Sequence, residues 1–181
     1  RQADAVVMFL GEHPEMSAEA NNRSSLDLPG VQEQLALAVA ATGKPVVVVL
    51  LNGRPLSTGA LQGEVPAILE AWFPGVEGGN AIVDVLFGDV NPSGKLPVTV
   101  PRNVGQVPIY HAHRNTGRPP AKDNKFSSKY IDVPWTPLYP FGHGLSYTSF
   151  EYGAPQVLAA KVAVGEPQQQ VRVRVTNTGQ R

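Results

Sequence analysis

The chain opens on an unbroken apolar run, Ala5-Val6-Val7-Met8-Phe9-Leu10, with polar residues on either side. That is the pattern of a strand buried on both faces. Val31, Leu35, Ala38 and Val39 then recur at helical spacing and Gly43 supplies a stop, which predicts an amphipathic helix from Pro29 to Ala41. The run Pro45 to Leu51 is wholly apolar and rich in β-branched residues, the mark of a central parallel strand, and Asn52-Gly53-Arg54-Pro55 turns the chain after it. Ala67 to Phe73 reads as a third strand, Asn80 to Phe87 as a short helix and Leu96 to Val100 as a further strand. Alternating strands and helices imply an α/β fold, a three-layer sandwich whose mostly parallel sheet is covered by helices on both faces.

The pattern changes after Pro101. Residues 102–145 are rich in Pro, Gly, Asn and Tyr with little periodicity, a functional or mobile loop by its length. From Ser146 the signal is β again, over Thr148 to Tyr152, Gln156 to Val164 and Val171 to Thr176, the last alternating with period two as in a half-buried antiparallel sheet. The expected organisation is an α/β domain over 1–145 and the start of an all-β domain over 146–181. The latter holds too few strands to form an independent sandwich.

Composition narrows the function classes. In 181 residues, 15 basic side chains balance 15 acidic ones, so no charge excess points to nucleic acid or an anionic membrane surface. A neutral, polyhydroxylated substrate fits this balance. The absence of cysteine excludes disulfides and thiolate metal sites while leaving the compartment open. No run of about 18 apolar residues exists to span a membrane. Arg1 leads almost directly into the first strand with no visible signal peptide, the expected look of a piece of a longer chain.

The candidate chemistry lies in Gly11 to Pro29, where the first strand gives way to a loop carrying Glu12, His13, Glu15, Glu19 and Arg23. Ligand-facing residues of an α/β sheet gather beyond the carboxyl ends of its strands, which makes these the first candidates for a site.

Several motifs carry a family resemblance. Gly11-Glu12, Glu19, Arg23, Leu26, Leu28 and Pro29 are followed in order by Thr42 to Pro45, Asn52 to Pro55, Trp72 to Gly79 and Phe87 to Pro97. Together they resemble the second, C-terminal domain of glycoside hydrolase family 3, with the greatest likeness to bacterial periplasmic β-glucosidases. Leu138 to Tyr147 resembles the exit from that domain into a fibronectin type III-like module. The resemblance implies a retaining enzyme acting on a β-linked oligosaccharide or glucoside. An Asp of a separate N-terminal (β/α)8 barrel attacks the sugar, while a Glu of this domain serves as acid and then base. It also implies a periplasmic or secreted parent protein, no cofactor, and no glycosidase activity in this piece alone.

The resemblance implies Glu19 as the acid/base, since its register, four residues before Arg23, matches the family pattern. Glu12 and His13 are expected to orient the loop or touch substrate, and Arg23 to tie the loop to a carboxylate through its planar guanidinium. Relatives often carry Gly-Asp where this chain has Asn21-Asn22. Among the aromatic residues Trp135 is the candidate for stacking on a sugar face. His111 and His113 would make a metal pair lacking a third ligand, and Gly75, Gly78 and Gly79 suit tight turning better than a phosphate cradle. A non-catalytic carbohydrate-binding or scaffold module on the same fold is the alternative.

Overall fold

The computed structural model describes residues 2–181 except 160, 162, 166 and 167. It forms two compact units, Arg1–Val83 with Gly94–Gly144, and Asp84–Ser93 with Leu145–Arg181.

The first unit is built on a parallel three-stranded sheet, β1 (Val6–Gly11), β2 (Val46–Leu51) and β3 (Ala67–Glu70), in that spatial order. Val6 pairs with Val46 and the register runs on to Gly11 with Leu51, so the carboxyl ends of β1 and β2 finish level. Helix α1 (Gln32–Ala40) starts two residues after Gly30, whose φ of 62° keeps it out of the helix. It packs on one face of the sheet, where Met8, Leu10, Ala36, Val46, Val48 and Leu50 belong to one buried cluster. The helix is shorter than the predicted Pro29 to Ala41, and of its predicted stripe Val31, Leu35 and Ala38 face solvent, the packed side being Ala36 with Leu37, Val39 and Ala40. Alternation along the strands sends Val7 and Phe9 to the other face, where they are 46% and 57% exposed, so β1 is buried on one face and not on both as its apolar run predicts. Helix α2 (Gly78–Phe87) belongs to the first unit up to Val83 and to the second from Asp84.

Two strand expectations change in this unit. β3 ends at Glu70 rather than Phe73, because Trp72 takes a left-handed φ of 51° just ahead of Pro74-Gly75. Leu96–Val100 is not a strand of the parallel sheet. It docks instead against 138–143, with Leu96 N–H donating to His143 O at 2.8 Å and Val100 N–H to Tyr139 O at 2.9 Å. Pro97 and Pro101 lack the donors that a continuous ladder needs. The irregular stretch 102–145 is pinned by the buried Gln106, whose amide accepts from Arg102 N–H at 2.7 Å and donates to Pro134 O at 2.9 Å.

In the second unit Asn91 Oδ1 accepts from Tyr147 N–H at 2.7 Å, and the Tyr147 hydroxyl donates to Val85 O at 2.8 Å. Four short strands follow, β4 (Phe150–Tyr152), β5 (Gln156–Val157), β6 (Val171–Arg172) and β7 (Val175–Asn177). They pair antiparallel as β4 with β7 and β5 with β6. The expected continuous strand over Val171 to Thr176 is thus split, and its valines are exposed rather than half-buried. The expected strand to Val164 gives Gln156–Val157, and positions 160 and 162 lie outside the described residues.

Candidate functional site

The site begins with Gly11, where β1 ends at a φ of 139° and a side-chain carbon would lie 1.9 Å from Leu51 O. Only glycine lets the two strand ends run this close. The Gln32 side chain closes on the same residue from the start of α1, accepting Gly11 N–H at 2.8 Å and donating to Gly11 O at 2.9 Å. Glu12 N–H then donates to Leu51 O at 2.9 Å, which directs its side chain into the interior.

The Glu12 side chain is fully buried. Its Oε1 accepts from Arg23 at 2.8 Å and lies 3.0 Å from Arg54 Nε, while Oε2 accepts from the Ser17 hydroxyl at 2.6 Å. Burial pushes this carboxyl up, but Ser17, Arg23 and Arg54 together outweigh it and hold the group below the ordinary carboxylate range. An ionised carboxylate with charged and hydroxyl donors on both oxygens is the form in which a buried acid is tolerated.

Each arginine reaches past Glu12 to the backbone of the same loop. Arg23 donates to Asp27 O at 2.9 Å. Arg54 donates to Met16 O and, at 3.1 Å, to Asn21 O. Glu19 lies between those two carbonyls, exposed to solvent, and the next residue, Ala20, has a φ of 63°. Asn21 N–H donates to Ala18 O at 3.1 Å, so Glu19 and Ala20 are the central residues of a tight turn. His13 caps the short 3-10 turn Pro14–Met16, its Nδ1 accepting from Glu15 N–H at 3.4 Å, and its side chain is exposed.

The ends of β2 and β3 complete the arrangement. Gly53 is wedged between two side chains, since a carbon added there would lie 2.7 Å from the Phe73 ring and 2.8 Å from Ser17 Cβ. Asn52, wholly buried, donates to Arg54 O at 2.8 Å and to Glu70 Oε2 at 3.5 Å, while its Oδ1 has no partner among the described residues. Glu70 accepts Trp72 N–H at 3.2 Å, and burial pushes its carboxyl up to about 7.

The structure therefore gathers Glu12, Arg23 and the turn bearing Glu19 at the carboxyl edge of the sheet, with His13 at the outer rim. Among the described residues no hydrogen bond or ion pair ties Trp135 to this loop; it sits 40% exposed in the stretch pinned by Gln106. His111 stacks on Phe141 at 4.2 Å and His113 meets the edge of Tyr110 at 5.5 Å. Arg54, Ser17, Gln32 and Glu70 were not singled out by sequence reasoning. Arg54 follows the end of β2 as Glu12 follows that of β1, and Glu70 is the last residue of β3; that placement at the carboxyl ends of the strands was the available signal.

Residues 1–147 match the model of the glycosyl hydrolase family 3 C-terminal domain. The chain is 51% identical over its whole length to a periplasmic β-glucosidase of Salmonella typhimurium, covering 24% of that protein. It is 46% identical over 99% of its length to a β-xylosidase of Formosa agariphila, again covering 24%. Among solved structures, a β-glucosidase from Listeria innocua in complex with isofagomine superposes with a TM-score of 0.90 at 43% identity, over 97% of this chain and 25% of that one. The chain thus spans about a quarter of the length of these relatives.

Proposed function

The chain belongs to the glycosyl hydrolase family 3 C-terminal domain family, and from that premise we propose that it is the part of a retaining β-glycosidase that supplies the general acid/base, Glu19. One observation carries the assignment: solvent-facing Glu19 rides on a turn whose base is clamped by the buried Glu12, Arg23 and Arg54 cluster at the carboxyl edge of the sheet. A rigid base under an exposed carboxyl suits a group that must meet a reacting atom brought by another body. The substrates are terminal, non-reducing β-linked sugars of the β-glucoside type. The nucleophilic Asp belongs to an N-terminal (β/α)8 barrel of the same parent polypeptide, its carboxyl about 5 Å from that of Glu19, the spacing retention requires.

In the first step the Asp attacks the anomeric carbon while the Glu19 proton passes to the departing glycosidic oxygen. In the second, the Glu19 carboxylate takes a proton from water as that water displaces the Asp, releasing the sugar with its configuration retained. The covering of the second sheet face as a three-layer sandwich, a fibronectin type III-like identity for the segment from 146, and a periplasmic or secreted location belong to the same proposal. So does the inactivity of the 181-residue chain by itself, because one carboxyl cannot run both steps.

Glu19→Ala in the parent polypeptide tests the assignment. In kcat/KM, which reads the first step, phenyl β-glucoside should fall by about 100-fold or more and a dinitrophenyl glucoside far less, since a weakly basic leaving group departs without a proton, while kcat on the latter falls through the loss of the base. Azide, which needs no deprotonation, should restore turnover and yield the β-glycosyl azide. Equal losses on both substrates without azide rescue, or rescue in Glu12→Ala or Glu15→Ala instead, overturn it. Activity untouched by all three favours a binding or scaffold module.

A further inference from the structure

The turn that carries Glu19 is strained on its own terms. Ala20 holds a left-handed φ of 63° with a Cβ present, a conformation that costs about 1 kcal/mol and persists only where surrounding contacts impose it. Within the loop, the Ala18–Asn21 hydrogen bond and the Asn21 side chain on Glu15 O contribute. The contacts from outside the loop come from Arg54, whose guanidinium binds the two carbonyls, Met16 O and Asn21 O, that bracket Glu19.

Arg54 is itself held on both sides. Its Nε faces both oxygens of buried Glu12, at 3.0 Å from Oε1 and 3.2 Å from Oε2, and its own carbonyl is fixed by Asn52 at 2.8 Å. Gly53, pressed between Ser17 and Phe73, sets where the arginine leaves β2. A guanidinium offers five donors in a rigid fork, enough to serve one carboxylate and two carbonyls together, whereas an ammonium is a single point.

We infer that Arg54 is the positioning residue for the Glu19 carboxyl, acting through the backbone on either side of it. The inference rests on the acid/base reading of Glu19 and deepens it. Arg54 lies 42 residues from Glu12 in sequence and touches no reacting atom; its effect is to fix where the proton is delivered.

The test uses the full-length parent polypeptide with Arg54→Met, Arg54→Lys and, as reference, Glu19→Ala. Both Arg54 variants should lose about tenfold or more in kcat/KM on phenyl β-glucoside and less than about threefold on the dinitrophenyl glucoside, because misplacement hurts the step that needs the proton. The lysine variant keeps the cation beside Glu12, so it guards against loss of the fold while still lacking the fork. Amide exchange at Met16, Ser17 and Asn21, whose N–H groups donate within the loop, should quicken about tenfold in both. Unchanged exchange, or losses equal on the two substrates while Glu19→Ala discriminates between them, overturns the positioning role alone. Equal losses in Glu19→Ala overturn the acid/base reading, and the exchange measurement then still decides whether Arg54 fixes the turn.

Discussion

Arg54 Nε lies 3.0 Å from Glu12 Oε1 although 42 residues separate them, and this contact joins the loop after β1 to the turn after β2. The Arg54 side chain is 21% exposed and that of Arg23 19%, so both cations face a carboxylate largely screened from water. Charges placed this way depend on one another: with the carboxylate gone, two guanidinium groups lose their counter-charge in a confined space.

Glu12→Gln should therefore destabilise the protein by about 3 kcal/mol, read as a lower urea midpoint at unchanged slope. Glu12 is held below the ordinary carboxylate range, so its contribution is complete near neutrality and is lost as pH falls through its folded value. The deficit of the Gln variant should accordingly be large at pH 7 and shrink on acidification. A deficit independent of pH would mean that packing rather than charge is responsible.

Glu70 predicts the opposite slope. Burial pushes its carboxyl up from 4.5 to about 7, so between those values the folded state holds a proton that the unfolded state releases. Stability contributed by this group is full below about pH 4.5 and falls as pH rises towards 7. Glu70→Gln should remove that fall, gaining up to about 3 kcal/mol over wild type at pH 8 relative to pH 4. Parallel unfolding curves for the two proteins across that range would refute it.

Two glycine substitutions should shift thermal stability in opposite directions. At Gly53 an added carbon meets Phe73 and Ser17 within 2.8 Å, so Gly53→Ala should cost about 1 to 3 kcal/mol through overpacking. Gly79, in α2, has nothing within 4 Å of the added carbon, so Gly79→Ala should stabilise by up to about 1 kcal/mol through helix propensity. A common sign for both would contradict the packing described around Gly53.

Gln32→Ala removes both hydrogen bonds to Gly11, leaving a strand-end donor and acceptor without that partner. A loss of about 1 to 2 kcal/mol should follow, with faster amide exchange at Gly11. Gln32→Glu can still accept the Gly11 N–H but cannot donate while ionised, so it should fall between wild type and alanine.

Much of this architecture is legible in the chain itself. Continuous apolar runs mark β1 and β2 as strands, although β1 is covered on one face only, and the helical spacing around α1 finds the helix but not its buried face, which is Ala36 with Leu37, Val39 and Ala40 rather than Val31 and Leu35. The rule that strands of an α/β sheet present chemistry at their carboxyl ends is enough to direct attention to Glu12, Glu19 and Arg23. Local pattern misleads at Leu96–Val100 and at Val171 to Thr176. There the residues suit a strand, but which neighbour they pair with is a matter of the whole chain.

Periodicity and turn residues act over a few positions, which suffices for the kind of element at each point and for the loop that bears the carboxylates. Which distant side chains surround Glu12 was decided only by tertiary structure. Parallel pairing of Gly11 with Leu51 brings Arg54 beside Glu12, and pairing of Glu70 with Leu50 sets Glu70 near Asn52. Register follows from the burial of a whole sheet face, and no short stretch of sequence encodes it. The shifts at Glu12 and Glu70 have the same origin: one buried carboxyl is ringed by cations brought from afar, while the other meets an amide and a backbone N–H.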